Sequence, residues 1–84
     1  MRVKVRLFAR LRELAGCGDW DADVDDLDGT ASAAAVWQAA VRRHPALEPF
    51  SGAISCAVNA NFARLTTAVH DGDEVAFLPP VSGG

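Results

Sequence analysis

The sequence predicts an α+β fold, in which a β-sheet packs on one face against one main helix. Segments with alternating polar and apolar residues lie near both ends of the 84-residue chain, as in strands that bury one face. Between them lies a segment with apolar residues every three or four positions, which predicts an amphipathic helix. A chain of this length has room for one domain.

The first predicted strand is residues 2–8, RVKVRLF. Every second residue from Val3 to Leu7 is apolar and forms the buried face, whereas Phe8 points to the opposite face. The next residues, ARLRELA, have leucines at helical spacing and are followed by Gly16, a typical residue at the left-handed end of a helix. The chain therefore begins with a strand and a short helix of one or two turns.

A second strand is predicted at residues 19–25, DWDADVD, where aspartates alternate with apolar residues. If it pairs with the first strand, Arg2, Lys4 and Arg6 lie beside these aspartates. Opposite charges across strands contribute roughly 0.2–1 kcal/mol per pair, so sheet pairing explains the pattern. The net charge of −3 argues further against a nucleic-acid partner.

The main helix is predicted over residues 31–44, ASAAAVWQAAVRRH. Its apolar residues recur at helical spacing, Thr30 or Ser32 can cap its start, and Pro45 prevents its continuation. Residues 46–52 are predicted to form a loop.

The second half of the chain predicts further strands. Residues 53–59, AISCAVN, alternate and place Cys56 on the buried face. A tight turn at NANF leads to a short strand around residues 62–65, and an Asp-Gly turn precedes the last strand at 74–78. In that strand Leu78 lies on the face opposite to its apolar neighbours.

The sequence lacks the patterns of common catalytic and metal sites. Its two histidines, His44 and His70, belong to no nucleophile–histidine–carboxylate arrangement, and phosphate-binding glycine motifs are absent. Cys17 and Cys56 lack metal or redox spacing and are expected to be free thiols. No apolar run approaches the roughly 18 residues of a membrane span, and the first residues do not resemble a signal peptide. We therefore expect a cytoplasmic location and no membrane partner.

The C-terminus, FLPPVSGG, departs from what folding requires. The two prolines cannot donate to a sheet and project the following residues outward, while the two glycines lack a Cβ. The terminal carboxylate can therefore enter a narrow active-site channel. Adenylation by ATP would make it an acyl donor, which sulfide could convert to a thiocarboxylate or an amine to an isopeptide bond. We expect a domain at 1–78 and a flexible tail at 79–84. The tail consists of Pro79, Pro80, Val81, Ser82, Gly83 and Gly84.

Three stretches resemble the small subunit of molybdopterin synthase, a family of ubiquitin-like sulfur carriers. They are VRLFARLRELAG at 5–16, AVN at 57–59 and HDGDEVAFLPPVSGG at 70–84. The family often has phenylalanine where this chain has Leu78. The resemblance implies a β-grasp fold, a mixed sheet packed on one main helix, whose first and last strands are parallel neighbours.

The resemblance also implies a reaction cycle. An E1-like enzyme uses ATP to adenylate Gly84, a sulfur-donor system converts it to a thiocarboxylate, and the sulfur passes to cyclic pyranopterin monophosphate during molybdenum cofactor biosynthesis. By this resemblance, the chain is not an enzyme by itself and binds no permanent cofactor. The large synthase subunit carries the catalytic groups, in an assembly of two small and two large subunits.

The implied partner surface lies at the base of the tail. Phe8 and Leu78 end parallel strands at the same sheet edge, and Phe62 is expected to join them in an apolar patch that docks the large subunit, with Pro79 to Gly84 inserted into its active site. Two alternatives stay open. One is a protein modifier or a carrier for another thiolated product, such as thiamine or thiolated tRNA, and the other is an interaction domain whose terminal glycines have no chemical role.

Overall fold

The computed structural model of the chain describes residues 1–25 and 30–80. The elements within these residues are β1 (Arg2–Leu7), α1 (Ala9–Ala15), β2 (Asp19–Asp23), β3 (Thr30–Ser32), α2 (Ala33–Arg43), a 3-10 helix (Pro45–Phe50), β4 (Ser55–Val58), β5 (Asn61–Ala63), β6 (Ala68–His70) and β7 (Glu74–Leu78).

The main sheet has five strands in the order β2-β1-β7-β4-β5. The first and last strands, β1 and β7, are parallel, and the other neighbours are antiparallel. A parallel pair requires a crossover connection, and α2 lies in the chain between its two strands. This mixed sheet with one main helix confirms the α+β class and the β-grasp arrangement.

The core lies between α2 and one face of the main sheet. Trp37 on α2 meets Phe77 on β7 edge to face, with ring centroids 5.0 Å apart. Both rings are buried, and the Trp37 Nε1–H donates to Ser51 Oγ at 3.0 Å, which satisfies its one polar group. Because β1 alternates strictly between buried and exposed residues, the opposite face of the sheet is left to solvent.

The residues predicted to end a helix, make a turn and cap a helix do so in the structure. Gly16 ends α1 in the left-handed region, at φ 75°, and Gly72 makes the turn before β7 at φ 87°. At the start of α2, Ser32 is the residue that caps, since its Oγ accepts from the Ala35 N–H at 3.2 Å.

The predicted start and end of the main helix were wrong by one or two residues. The helix begins at Ala33 because Ala31 and Ser32 belong to β3, which pairs antiparallel with β6. This two-stranded sheet was not predicted, since three-residue strands are too short to show alternation. At the other end α2 stops at Arg43, and His44 is its C-cap.

The prediction of a loop at residues 46–52 was also wrong, because most of this segment belongs to the 3-10 helix Pro45–Phe50. Proline is tolerated in the first turn of a helix, where its missing N–H would have no partner. The short helix buries Leu47 completely, so the segment covers one end of the core.

Four predicted strands have different ends in the structure. The strand predicted at residues 53–59 is Ser55–Val58. The second strand ends at Asp23 instead of residue 25, although the Val24 N–H still donates to the Met1 carbonyl at 2.8 Å. The short strand predicted at 62–65 is Asn61–Ala63. Phe8 lies just beyond β1, as the N-cap of α1. Among residues 1–25 and 30–80, no helix combines the length and hydrophobicity that crossing a bilayer requires.

Candidate functional site

The outer face of the main sheet, opposite α2, divides into a charged half and an apolar half. On β1 and β2 the predicted pairing is confirmed, since Arg2 lies opposite Asp23, and their side chains approach to 4.0 Å. On the other three strands, the register aligns Ala76, Ala57 and Phe62 in one row. The small alanines leave space between larger neighbours on either side.

That space is a groove of about 250 Å³. Its lining residues are Arg6, Phe8, Ala57, Ala60, Phe62, Glu74, Ala76 and Leu78. Phe8 and Phe62 are 37% and 85% exposed, and they are the large hydrophobic residues that are exposed within the described part of the chain. Contiguous exposed apolar groups commonly mark a protein interface.

The groove lies where the chain leaves the sheet. Leu7 is level with Phe77 in the parallel β1–β7 pair, and the Phe8 N–H donates to the Phe77 carbonyl at 3.3 Å. Phe8 and Leu78 are the next residues along the two chains, so they lie side by side at the same edge of the sheet, as predicted. Pro79 continues directly from the groove wall.

The structure thus brings together the three predicted patch residues Phe8, Phe62 and Leu78. It also describes Pro79, which is half-buried, and Pro80, which is exposed. The other predicted site residues, Val81, Ser82, Gly83 and Gly84, lie outside the described residues.

Sequence reasoning missed the polar rim of the groove. Arg6 lies opposite Asp19 in the ladder, yet its Nη1 contacts Glu74 Oε1 at 2.9 Å, and its guanidinium carbon is 5.5 Å from the centre of the Phe8 ring. Arg6 thereby links Phe8 to β7. Strand alternation could have found this rim, because Arg6 is two residues from Phe8, and Glu74 is four residues from Leu78 on the same face.

Two alanines beside the groove have a backbone conformation that normally favours glycine. Ala9 follows Phe8 with φ 52°, and Ala60 precedes the Phe62 strand with φ 69°. This conformation costs an alanine roughly 1–2 kcal/mol. Ala60, together with Asn59 at φ 50°, makes the two-residue turn between β4 and β5, a hairpin turn that requires positive φ at both positions.

Hydrogen bonds tie the hairpin that carries Phe62 to the turn before β7. Asn59 Nδ2 donates to Asp73 Oδ1 at 3.0 Å, and the His70 N–H donates to Asp73 Oδ2 at 2.8 Å. The bond from Asn59, followed by the bond from the His70 backbone, holds the pKa of the Asp73 carboxyl below its usual value. The His70 ring lies close by, with Nδ1 3.8 Å from Asp73 Oδ2.

The cysteines and the remaining histidine lie away from the groove. Both cysteines are free, and burial raises the pKa of the Cys56 thiol. Cys17 Sγ is 3.6 Å from His44 Nε2, and the pKa of His44 is lowered by burial and by the neighbouring Arg43. Within residues 1–25 and 30–80, no group of three or more metal-binding side chains converges.

Fold and groove together define a β-grasp protein with an exposed apolar groove beside the start of its C-terminal tail. The chain belongs to the ThiS family, whose sequence pattern matches residues 5–84. It is 38% identical over 86 residues to the molybdopterin synthase sulfur carrier subunit of Chlamydomonas reinhardtii, covering all of both chains. It is 39% identical over 87 residues to small archaeal modifier protein 1 of Haloferax volcanii, covering 94% of this chain and 97% of the relative.

Solved structures show the same fold. The crystal structure of SAMP1 from Haloferax volcanii matches with a TM-score of 0.82 and 36% identity, over 100% of both chains. A complex of subunits 1 and 2 of the molybdopterin-converting factor from Helicobacter pylori contains a chain that matches with a TM-score of 0.64 and 28% identity, also over 100% of both chains.

The Asp73 contacts predict an acid-sensitive contribution to stability. A carboxyl whose pKa is lowered by folding stabilises the fold fully above its unfolded pKa, near 3.9, and loses this effect as the pH falls through the folded value. We expect Asp73→Asn to reduce the free energy of unfolding by about 1 kcal/mol at neutral pH. The difference from the wild type should shrink below about pH 4.

Urea unfolding at several pH values measures this difference. Asp25→Asn, which removes an exposed carboxylate beyond the end of β2, is the control for the loss of one negative charge. A difference for Asp73→Asn that stays constant from neutral pH to the acid limit would show that the carboxylate contacts do not stabilise the fold.

Proposed function

We propose that this chain is the sulfur-carrying small subunit of a molybdopterin synthase. The main support for this proposal is that a chain of the ThiS family has an apolar groove directly beside the start of its C-terminal tail. Sulfur carrier subunits of molybdopterin synthase are among its relatives over the whole length of the chain. A docking surface beside the exit of the tail is what a carrier needs in order to present its terminus to an enzyme.

The proposed chemistry takes place at the carboxylate of Gly84. A partner adenylating enzyme transfers AMP from ATP to this carboxylate and releases pyrophosphate. A sulfur-donor system then delivers sulfide, which displaces AMP and leaves a thiocarboxylate. The thiocarboxylate gives its sulfur to cyclic pyranopterin monophosphate, water returns the carboxylate, and two loaded carriers supply the two sulfurs of each dithiolene. The chain itself holds no permanent cofactor.

The large subunit is the proposed partner of the groove. Phe8, Phe62 and Leu78 dock it, while Pro79 and Pro80 direct the tail, through Val81, Ser82 and Gly83, into its active site, where the catalytic groups lie. The solved complex of subunits 1 and 2 of a related converting factor supports this partner. We propose an assembly of two small and two large subunits, and we place the cycle in the cytoplasm, where reducing conditions preserve thiols.

A protein modifier is the second candidate function. It is favoured by the relative named small archaeal modifier protein 1, which is 39% identical to this chain. In this case an amine of a target protein, and not sulfide, captures the adenylated Gly84 and forms an isopeptide bond. Activation at the same carboxylate precedes both outcomes.

The groove predicts a large loss of partner affinity on Phe62→Asp. The side chain is 85% exposed, so the change leaves the core intact but places a charge in the apolar contact. We expect binding to the large subunit from the same organism to weaken at least about tenfold, as at interface hot spots. Calorimetry measures the dissociation constant. Ala68→Asp, on the exposed face of β6, controls for the added charge, and equal affinities for both variants would contradict the docking surface.

Deletion of Gly84 separates the two candidate functions. We expect the deletion to abolish conversion of the pterin precursor by the reconstituted synthase, because the reactive carboxylate no longer reaches its position. The pattern of protein conjugates in cells should not change. Ser82→Ala keeps both glycines and is the control for altering the tail. Conjugates that disappear with Gly84, while the pterin is still converted, would favour the modifier.

A further inference from the structure

We infer that Asn59 is a positioning residue for partner docking, because its side chain clamps the Phe62 hairpin to the start of β7. The partner in this inference is the large subunit, so that part rests on the proposed function. The clamp is defined by three hydrogen bonds, two between Asn59 and Glu74 and one between Asn59 and Asp73.

The first two bonds extend the sheet beyond its regular end. The β4–β7 ladder reaches its last paired residues at Val58 and Val75. One residue further, the Asn59 N–H donates to the Glu74 carbonyl at 2.8 Å, and the Glu74 N–H donates to Asn59 Oδ1 at 2.9 Å. The side-chain oxygen thus takes the place of a main-chain carbonyl at the point where the chain turns away.

The third bond fixes the orientation of the amide. Asn59 Nδ2 donates to Asp73 Oδ1 at 3.0 Å, while the other oxygen of Asp73 is held by the His70 N–H at 2.8 Å. The amide therefore uses its acceptor on β7 and its donor on the preceding turn. Asparagine also tolerates the left-handed backbone found here, at φ 50°, so conformation and bonding select the same residue.

Such a clamp has a specific task, because packing does little to hold Phe62. This residue is 85% exposed and belongs to β5, a three-residue strand at the edge of the sheet. Ordering a flexible side chain or loop on binding reduces affinity. A hairpin fixed before docking avoids this loss and keeps the Phe62 wall at a constant distance from Leu78 across the groove.

An exchange of the two clamp residues tests the inference at neutral pH. Asn59→Asp places one carboxylate against another and breaks the bond of the clamp to Asp73, the one that needs the amide donor. In the double variant Asn59→Asp with Asp73→Asn, the new amide donates to the new carboxylate, so the bond returns with donor and acceptor reversed. The remaining oxygens can still accept from the N–H groups of Glu74 and His70. Gln38→Glu, an amide-to-carboxylate change at an exposed position of α2, is the matched control for added charge.

Two measurements follow the clamp separately. In the free protein, NMR relaxation rates, together with nuclear Overhauser effects between the Phe62 ring and its groove neighbours, report how well the hairpin is ordered. Calorimetry measures the affinity of each folded variant for the large subunit. We expect Asn59→Asp to increase mobility at residues 61–63 and to weaken binding about two- to tenfold, the range for immobilising one side chain. The double variant should restore both to near wild type, and Gln38→Glu should change neither.

Each outcome decides between a positioning and a purely structural role. If Asn59→Asp lowers the unfolding temperature but leaves hairpin order and affinity unchanged, or if the exchange fails to restore them in a folded protein, the inference is overturned. If hairpin order follows the clamp while even the wild type does not bind the large subunit, the clamp is supported and the proposed function is contradicted.

Discussion

The parallel pairing of β1 with β7 is the constraint on which the rest of the structure depends. It joins the two ends of the chain at the centre of the sheet and aligns Val5 with Val75 and Leu7 with Phe77. All four side chains are buried beneath α2. Because neighbouring residues on a strand point to opposite faces, fixing these side chains inward fixes their neighbours outward. A shift of one residue would expose the core, so the register is strongly specified.

The same register builds the outer face. Since parallel strands run in one direction, Phe8 and Leu78 follow their buried neighbours at one sheet edge, where the tail also begins. The groove therefore needs no separate scaffold, because its floor and one wall follow from the core pairing. Its other wall, Phe62, lies on an edge strand and depends on polar contacts instead. The most exposed part of the groove is thus held by the pairing of β5 with β4 and by the hydrogen bonds of Asn59.

Sequence patterns predicted the elements whose residues alternate or repeat over a sufficient length. The β1 alternation, the apolar stripe of α2 and the Asp71-Gly72 turn each carry a local signal, and each is found in the structure. The β3–β6 sheet carries none, because strands of three residues form only once the rest of the chain brings them together. The 3-10 helix was missed for a related reason, since proline-rich segments are also typical of loops.

The candidate site was predictable in part. Strand direction and side-chain alternation were sufficient to place Phe8 and Leu78 together. The Arg6–Glu74 rim depends on a choice between two nearby carboxylates, which only side-chain geometry decides. The Asn59 clamp joins residues 14 and 15 positions apart through a side chain, a distance at which strand periodicity gives no information. Both segments, AVN at 57–59 and DGDE at 71–74, belong to the stretches that resemble the family, but the resemblance does not indicate that they contact each other.

Sulfur loading at Gly84 is tested most directly by the intact mass of the protein after incubation with the adenylating enzyme of its own organism, ATP and a sulfur source. A sulfur carrier should gain the mass that corresponds to one oxygen replaced by one sulfur, localised to Gly84 by fragmentation. An unchanged mass, under conditions that load a known carrier, would contradict a sulfur carrier and would leave the groove to serve another partner.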